Sequence, residues 1–482
     1  MDAKQIRSLR PKLRRFLKEF ADCFSRSDTR GHLPVYVEGQ LSDLPRKNCE
    51  PIADAVEMPP RTLQQFLNLL DWDHALMKTK LQQLVAHEHA SLHSIGIFDE
   101  TACPKKGEKT PGVQRQWCGA TGKKENCVVT VHLGYAVGDF HSLLDTELFL
   151  PESWSNDRPR CRAAHIPEDM VHRPKTQIAL ELYDRARANG VAFGWLTFDE
   201  GYGKSPAFLE ALRKRDQKFV AEVPVTFTGW IRPPRVTSRR PSRNGRPRKT
   251  PHLVSGSRPA LSVRDHLRCS PELCDQEWQR FRVKDGEKGP MVWEVKHVWF
   301  YPKGTDDLPL EPMHLIVARN VLEPEKIKFF VGHAPQDTPL TLLLHVAFSR
   351  WRVERCFEDQ KTELGFDHFE GRSYVGLMRH QTITAVTHMF LSRVHQAWRG
   401  EKTGNHRLSD SHRGGWIGSI LVDVGPSEHT LPRPNRKNHR QHPGPHRPLT
   451  QKPPQTNPPA ITRNRHHNHQ PPQVRMERKL AL

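Results

Sequence analysis

SIGIFDE (residues 94–100) and VAFGWLTFDEGYG (residues 191–203) decide how this sequence is read. Each is a short run of aliphatic and aromatic residues ending in Asp-Glu, the pattern of a buried strand that reaches the protein surface. Asp99 and Asp199 therefore stand at two strand ends. A lone aspartate in such a place is ordinarily a turn former or a helix cap. Two of them in one sheet are harder to dismiss, because neighbouring strand ends can hold two carboxylates close to one hard cation. Glu100 and Glu200 follow directly and, by strand alternation, point to the opposite face.

Outward from these stretches, VQRQWCG (113–119), NCVVTVHLGYAV (126–137) and HSLLDTELFLP (141–151) read as strands of a meander. A helix is expected at about 175–189. SPAFLEALRKRD (205–216) reads as another, capped by Ser205 with Pro206 in its first turn, and KFVAEVP (218–224) as a further strand. Three strands in series, then helix, strand, helix, strand, is the order of a ribonuclease-H-like layer. The expected fold class is α/β: a ribonuclease-H-like mixed sheet with flanking helices, built from residues 93–223 and 341–400 and interrupted by a β-rich insertion at 224–340. Residues 1–92 repeat apolar positions at three and four in RRFLKEFADCF and RTLQQFLNLLDWDHALMKTKLQQLVAH, which predicts a helical N-terminal domain. Between them RGHLPVYVEGQLSDLPRKNCEP (30–51), punctuated by Gly and Pro, reads as turns with one short strand. Residues 401–482 turn to Pro, His, Arg, Asn and Gln and read as a disordered, low-complexity basic tail, its His-rich end included.

A third carboxylate comes from RWRVERCFEDQK (350–361). At about 100° per residue, Arg350, Glu354 and Lys361 fall within about 40° of one another on one helical face. Val346, Val353, Phe357 and Leu364 form the apolar stripe beside them. Glu354 can thus reach inward while its basic neighbours meet phosphate; the plainer reading is an i,i+4 surface pair with Arg350. Glu358, one turn on, lies farther from the stripe and is the lesser choice.

Lys and Arg number 74 against 54 Asp and Glu, a formal charge of +20, which favours a polyanionic partner over an acidic metabolite. Lys105, Lys106, Lys123 and Lys124 follow the first strand region, and eight Arg or Lys lie between Arg232 and Lys249, enough to neutralise several phosphates. No apolar run approaches the roughly 20 residues of a membrane span. Charges interrupt MDAKQIRSLRPKLRRFLKEF, so no secretory signal and no membrane partner is expected, and the chain is placed in the cytoplasm, associated with the nucleoid. The nine cysteines include no Cys-x-x-Cys pair, so reduced thiols are expected rather than disulfides or structural zinc.

FDETACPKKG, QRQWCGATGKKENCVVTVHL, LTFDEGYG and RWRVERCFEDQKTELGFDHFEGRSYVGLMRH, in this order, resemble segments of the DDE transposases of bacterial insertion sequences, in their IS4-like/IS701-like branch. The resemblance covers roughly residues 10 to 400. It implies Asp99, Asp199 and Glu354 as catalytic metal ligands and Arg350 and Lys361 as the basic members of a Tyr-Arg-Glu-Lys signature. The signature Tyr would fall at Ala347, a departure that removes one contact to the transposon-end phosphate. Two Mg²⁺ ions, with Mn²⁺ able to substitute, are implied as cofactors. The implied partner is double-stranded DNA, both terminal inverted repeats and target, held by a homodimer on paired ends and touched by Arg350, Lys361, Lys105 and Lys106. Base reading falls to the N-terminal helices. Relatives that form a DNA hairpin use an aromatic of the insertion; here Trp293 and Trp299 qualify, although burial on a strand is the simpler account. Relatives continue past residue 400 with more helical sequence, so a frameshifted terminus is weighed beside a naturally disordered one. A remnant that only binds DNA and a metal-dependent endonuclease that hydrolyses without joining are the competing functions.

Overall fold

The computed structural model describes residues 3–238, 250–286 and 289–400. The tail and most of the arginine-rich stretch lie outside the described residues. Helices α1 (Ala3–Lys18), α2 (Ser27–Leu41), α3 (Cys49–Asp54), α4 (Pro60–Asn68) and α5 (His74–Glu88) open the chain. Asn48 and Asp73 cap α3 and α5 by accepting from the backbone N–H of Glu50 and Leu76. Residues 30–51 are thus largely helical, contrary to the expectation of turns and a strand. Leu33, Tyr36, Val37, Gln40 and Leu41 are buried at helical spacing in α2, and Pro34 and Gly39 sit within the helix. A Cβ on Gly39 would meet Ile52 of α3 at 2.4 Å, so the glycine serves helix packing and not a turn. Tertiary burial overrides the local breakers.

The sheet begins with β1 (Ile95–Pro104), β2 (Gln114–Cys118), β3 (Lys123–Val137) and β4 (Phe140–Leu148). After short helices α6 (Glu152–Ser155) and α7 (Arg158–Ala163), helix α8 (Lys175–Ala188) crosses to β5 (Trp195–Phe198). Helices α9 (Glu200–Gly203) and α10 (Pro206–Arg213) then lead to β6 (Phe219–Val223). β1 is antiparallel to β3 and β3 to β4, while β1, β5 and β6 are parallel, giving the order β4-β3-β1-β5-β6. This is the ribonuclease-H-like arrangement anticipated from the order of elements.

The insertion contributes β7 (Thr228–Trp230), β8 (Val236–Thr237), β9 (His252–Leu253) and β10 (Leu261–Ser262), then helices α11 (Val263–Cys269) and α12 (Pro271–Cys274). Strands β11 (Gln279–Gly286), β12 (Gly289–Pro302), β13 (Met313–Asn320) and β14 (Ile327–His333) follow. β14 pairs antiparallel with β6, Phe329 facing Val223, so these strands lengthen the same sheet to twelve; β8 and β9 pair separately.

Helices α13 (Leu340–Phe348), α14 (Trp351–Leu364) and α15 (Tyr374–Gly400) complete the described chain. α15 buries polar groups because it packs between the N-terminal helices and the sheet. Gln40 bonds Thr384 and Thr387, Tyr36 bonds His380, and Arg379 donates to the carbonyls of Phe66, Leu67, Leu70 and Trp72. These buried polar groups thereby find the partners that such burial requires. No helix among the described residues is long and apolar enough to cross a membrane.

Candidate active site

The parallel register of β1 and β5 sets Phe98 beside Phe198, and the next residue of each strand is an aspartate. The two phenylalanines are fully buried, packed with Tyr202 and Phe208, and anchor this part of the sheet at about 2 kcal/mol each. Asp199 therefore follows the end of β5 beside Asp99, which is not at a strand end as its sequence suggested: β1 runs on past it, paired with β3, to Pro104. Asp199 caps α9, its Oδ1 accepting from Gly201 N at 2.9 Å. A Cβ on Gly203, in the same turn, would meet Glu222 O at 1.9 Å, so only glycine lets α9 lie on β6.

Cross-strand pairing says which way Asp99 faces. Its partner on β3 is His132, and residues directly opposite share a sheet face. The His132 ring packs on Phe357 of α14 at 4.9 Å, so Asp99 faces α14 too. Glu100 takes the other face, where Lys175 of α8 pairs with it, in line with strand alternation. His132 itself bonds Thr130 and Thr146, and burial pushes its pKa down to about 3, so it stays neutral.

Arg350 joins the acids. Its Nη1 donates to Asp99 Oδ2 at 3.1 Å and its Nη2 contacts Glu354 Oε1 at 2.6 Å, one planar guanidinium spanning both carboxylates. Burial raises the Asp99 pKa to about 7; Arg350 opposes that rise, while Asp199 and Glu100 add to it. Asp199 is raised as well, first by burial and then by Glu100. Glu354 is half-exposed, at 45%. Glu358 turns away to Arg355 at 3.1 Å.

The apolar stripe expected of one continuous helix is buried throughout, yet the helix divides at Ser349–Arg350. Val346 belongs to α13, and Val353, Phe357 and Leu364 to α14. Ala347 is buried near the end of α13, in the core cluster that also holds Trp195 and Val346. Lys361 donates to Thr101 Oγ1 at 2.6 Å, two residues beyond Asp99 on the same strand face. Gly365 ends α14 in the left-handed region at φ 69°. Trp293 is buried against Phe348, and Trp299 rests on His314, so both serve packing.

Past the end of β1 lies an open cleft of about 1330 Å³ lined by Arg46, Lys105, Lys106, Lys109, Arg115, Lys123, Lys124 and Arg372, with Glu108, Glu125, Asp367 and Glu370 among them. The four lysines singled out in the sequence thus share one cleft. They are not equivalent. Lys105 is part-buried and donates to the carbonyls of Asp367 at 2.9 Å and Phe369 at 2.6 Å, whereas Lys124 is exposed.

The model for the DDE superfamily endonuclease family matches residues 19–290, more than half of the chain. The chain belongs to this family. The match includes Asp99 and Asp199 and stops short of α14, so Glu354 rests on the geometry above. The chain is also 30% identical over 188 residues to a probable transposase for insertion sequence element IS701 from Microchaete diplosiphon, an alignment spanning 38% of this chain and 46% of that relative.

Some contributors to this candidate site carried no local signal. Tyr202, buried under both aspartates and beside Glu100, lies three residues past Asp199, a helical spacing visible only once α9 is known. Arg46 and Arg372 reach the cleft from opposite ends of the chain.

Proposed function

We propose that the chain is a DNA transposase that cuts at insertion-sequence ends and passes the freed 3′-hydroxyls to target DNA. The observation that carries this reading is the pairing of Asp99 and Asp199 on adjacent parallel strands with Glu354 tied to Asp99 through Arg350. The donor set fits divalent cations: three carboxylates, all oxygen, two of them with raised pKa values that a cation would lower again. Asp99, Asp199 and Glu354 would hold Mg²⁺ or Mn²⁺. When bound, a pair of such ions supplies activation of the attacking oxygen and stabilisation of the leaving oxygen in an in-line displacement at phosphorus.

The remaining work falls to the chain's own groups. Arg350 favours the ionised form of Asp99 and keeps Glu354 beside it until the carboxylates are engaged; its guanidinium then turns to a phosphate oxygen. Lys361, fixed by Thr101, places a second positive charge along the same edge of β1. The basic cleft leads the duplex away from the three acids and holds its backbone without reading bases.

The test is incubation of the full chain with Mg²⁺, a duplex bearing the inverted repeats that flank its gene, and a supercoiled target plasmid. Cleaved ends and joined products support transposition. Cleavage without joining would reduce the reading to an endonuclease, and binding without either to a DNA-binding remnant.

A further inference from the structure

On the side of α14 away from Asp99, three elements bring together side chains the DDE site does not use. His141 of β4, Cys356 of α14 and His388 of α15 offer ligand atoms that all lie within 4.8 Å of one another. Asp359 stands three residues from Cys356, on the same helical face, with Oδ2 at 3.7 Å from His141 Nε2 and 3.9 Å from His388 Nε2. Its other oxygen is held by Arg355 Nε at 2.9 Å, which orients the carboxylate. Cys356 and His388 are buried, and His388 Nδ1 is shut off from solvent without a hydrogen-bond partner. A buried polar atom left unpaired costs about 1 to 3 kcal/mol unless something else engages it.

We propose that His141, Cys356 and His388, with Asp359 as fourth donor, form a zinc site separate from the DDE carboxylates. A thiolate, two imidazoles and one carboxylate suit Zn²⁺ far better than Mg²⁺, whose hardness favours oxygen alone. Tetrahedral bonds of about 2.0 to 2.3 Å set ligand atoms roughly 3.5 Å apart, so His141, Cys356 and His388, already within 4.8 Å of one another, close on an ion by shifts of about an ångström. Its place gives it a purpose. It would clamp α14, which carries Glu354, to β4 and α15, fixing the height of the third acid above Asp99 and Asp199. No Cys-x-x-Cys pair marks it, because each element contributes only one or two donors.

The experiment is Co²⁺ titration of the reduced, metal-free full chain, followed by absorption. Expected are one equivalent of tetrahedral visible bands together with a thiolate-to-cobalt band in the near ultraviolet, both displaced by Zn²⁺. Cys356→Ser should remove the thiolate band and His141→Gln, at a less buried position, should weaken Co²⁺ binding at least tenfold. Circular dichroism checks that each variant is folded. Oxygen ligands at Asp99 or histidines of the tail cannot produce a thiolate band. Absence of that band in the parent chain, or its survival in folded Cys356→Ser, would overturn the proposal.

Discussion

Arg350 Nη1 lies 3.1 Å from Asp99 Oδ2 and is the nearest countercharge to a buried carboxylate whose pKa stands at about 7. Removing it leaves burial, Asp199 and Glu100 to push Asp99 higher still. Arg350→Ala should therefore move the rising limb of the pH profile of metal-dependent cleavage to higher pH, with activity at neutral pH falling about tenfold for each unit of displacement. Arg350→Lys, which cannot span both carboxylates, should fall between. A profile with an unmoved midpoint would show that the guanidinium does not set the ionisation of Asp99.

The same burial makes Asp99 a source of instability in the metal-free chain. Its folded pKa lies above the ordinary 3.8, so the stability of its protonated form is fully present below about pH 4 and is lost as pH rises toward 7. Asp99→Asn removes the ionisation. The melting temperature of the metal-free variant should exceed that of the parent by roughly 2 °C or more at pH 8 and match it near pH 4. Mg²⁺ should narrow the gap by stabilising only the parent. Equal melting temperatures at pH 8 would mean that the buried carboxylate is not under strain.

Asp99→Ala, Asp199→Ala and Glu354→Ala should each lower cleavage of a transposon-end duplex by at least a thousandfold while leaving duplex binding nearly intact, because in the proposed function the acids serve the reacting phosphate and not the flanking backbone. Glu358→Ala, facing Arg355, should cut normally. Cleavage by Glu354→Ala with loss in Glu358→Ala would reverse the assignment on α14.

What was legible in the sequence follows physical locality. The strand before Asp199 announced itself because its buried run ends abruptly in charge, whereas β1 carries on past Asp99 through buried Thr101, Ala102 and Cys103, and the order of the ribonuclease-H-like layer followed from spacing of period two and three to four. α2 was hidden because Pro34 and Gly39 are local breakers that packing on α3 and α15 overrides. The division of α13 from α14 was hidden because the apolar stripe runs unbroken across Ser349 and Arg350. Trp293 could be placed only in the folded chain, where Phe348 covers it.

The basic cleft separates two kinds of lysine. Lys106, Lys109 and Lys124 line it, and each replaced by Ala should weaken nonspecific duplex binding and flatten the slope of log affinity against log salt by about one for each phosphate left without its lysine. Lys105 is different. Its ammonium joins the end of β1 to the carbonyls of Asp367 and Phe369, so Lys105→Ala leaves two acceptors short of a donor in a part-buried place. That variant should lose stability by about 1 to 3 kcal/mol, with little change in the salt slope of the folded fraction. Denaturant titration beside salt-dependent binding would read both quantities. A full unit of slope missing in Lys105→Ala with unchanged stability would place its charge on DNA instead of on the protein's own backbone.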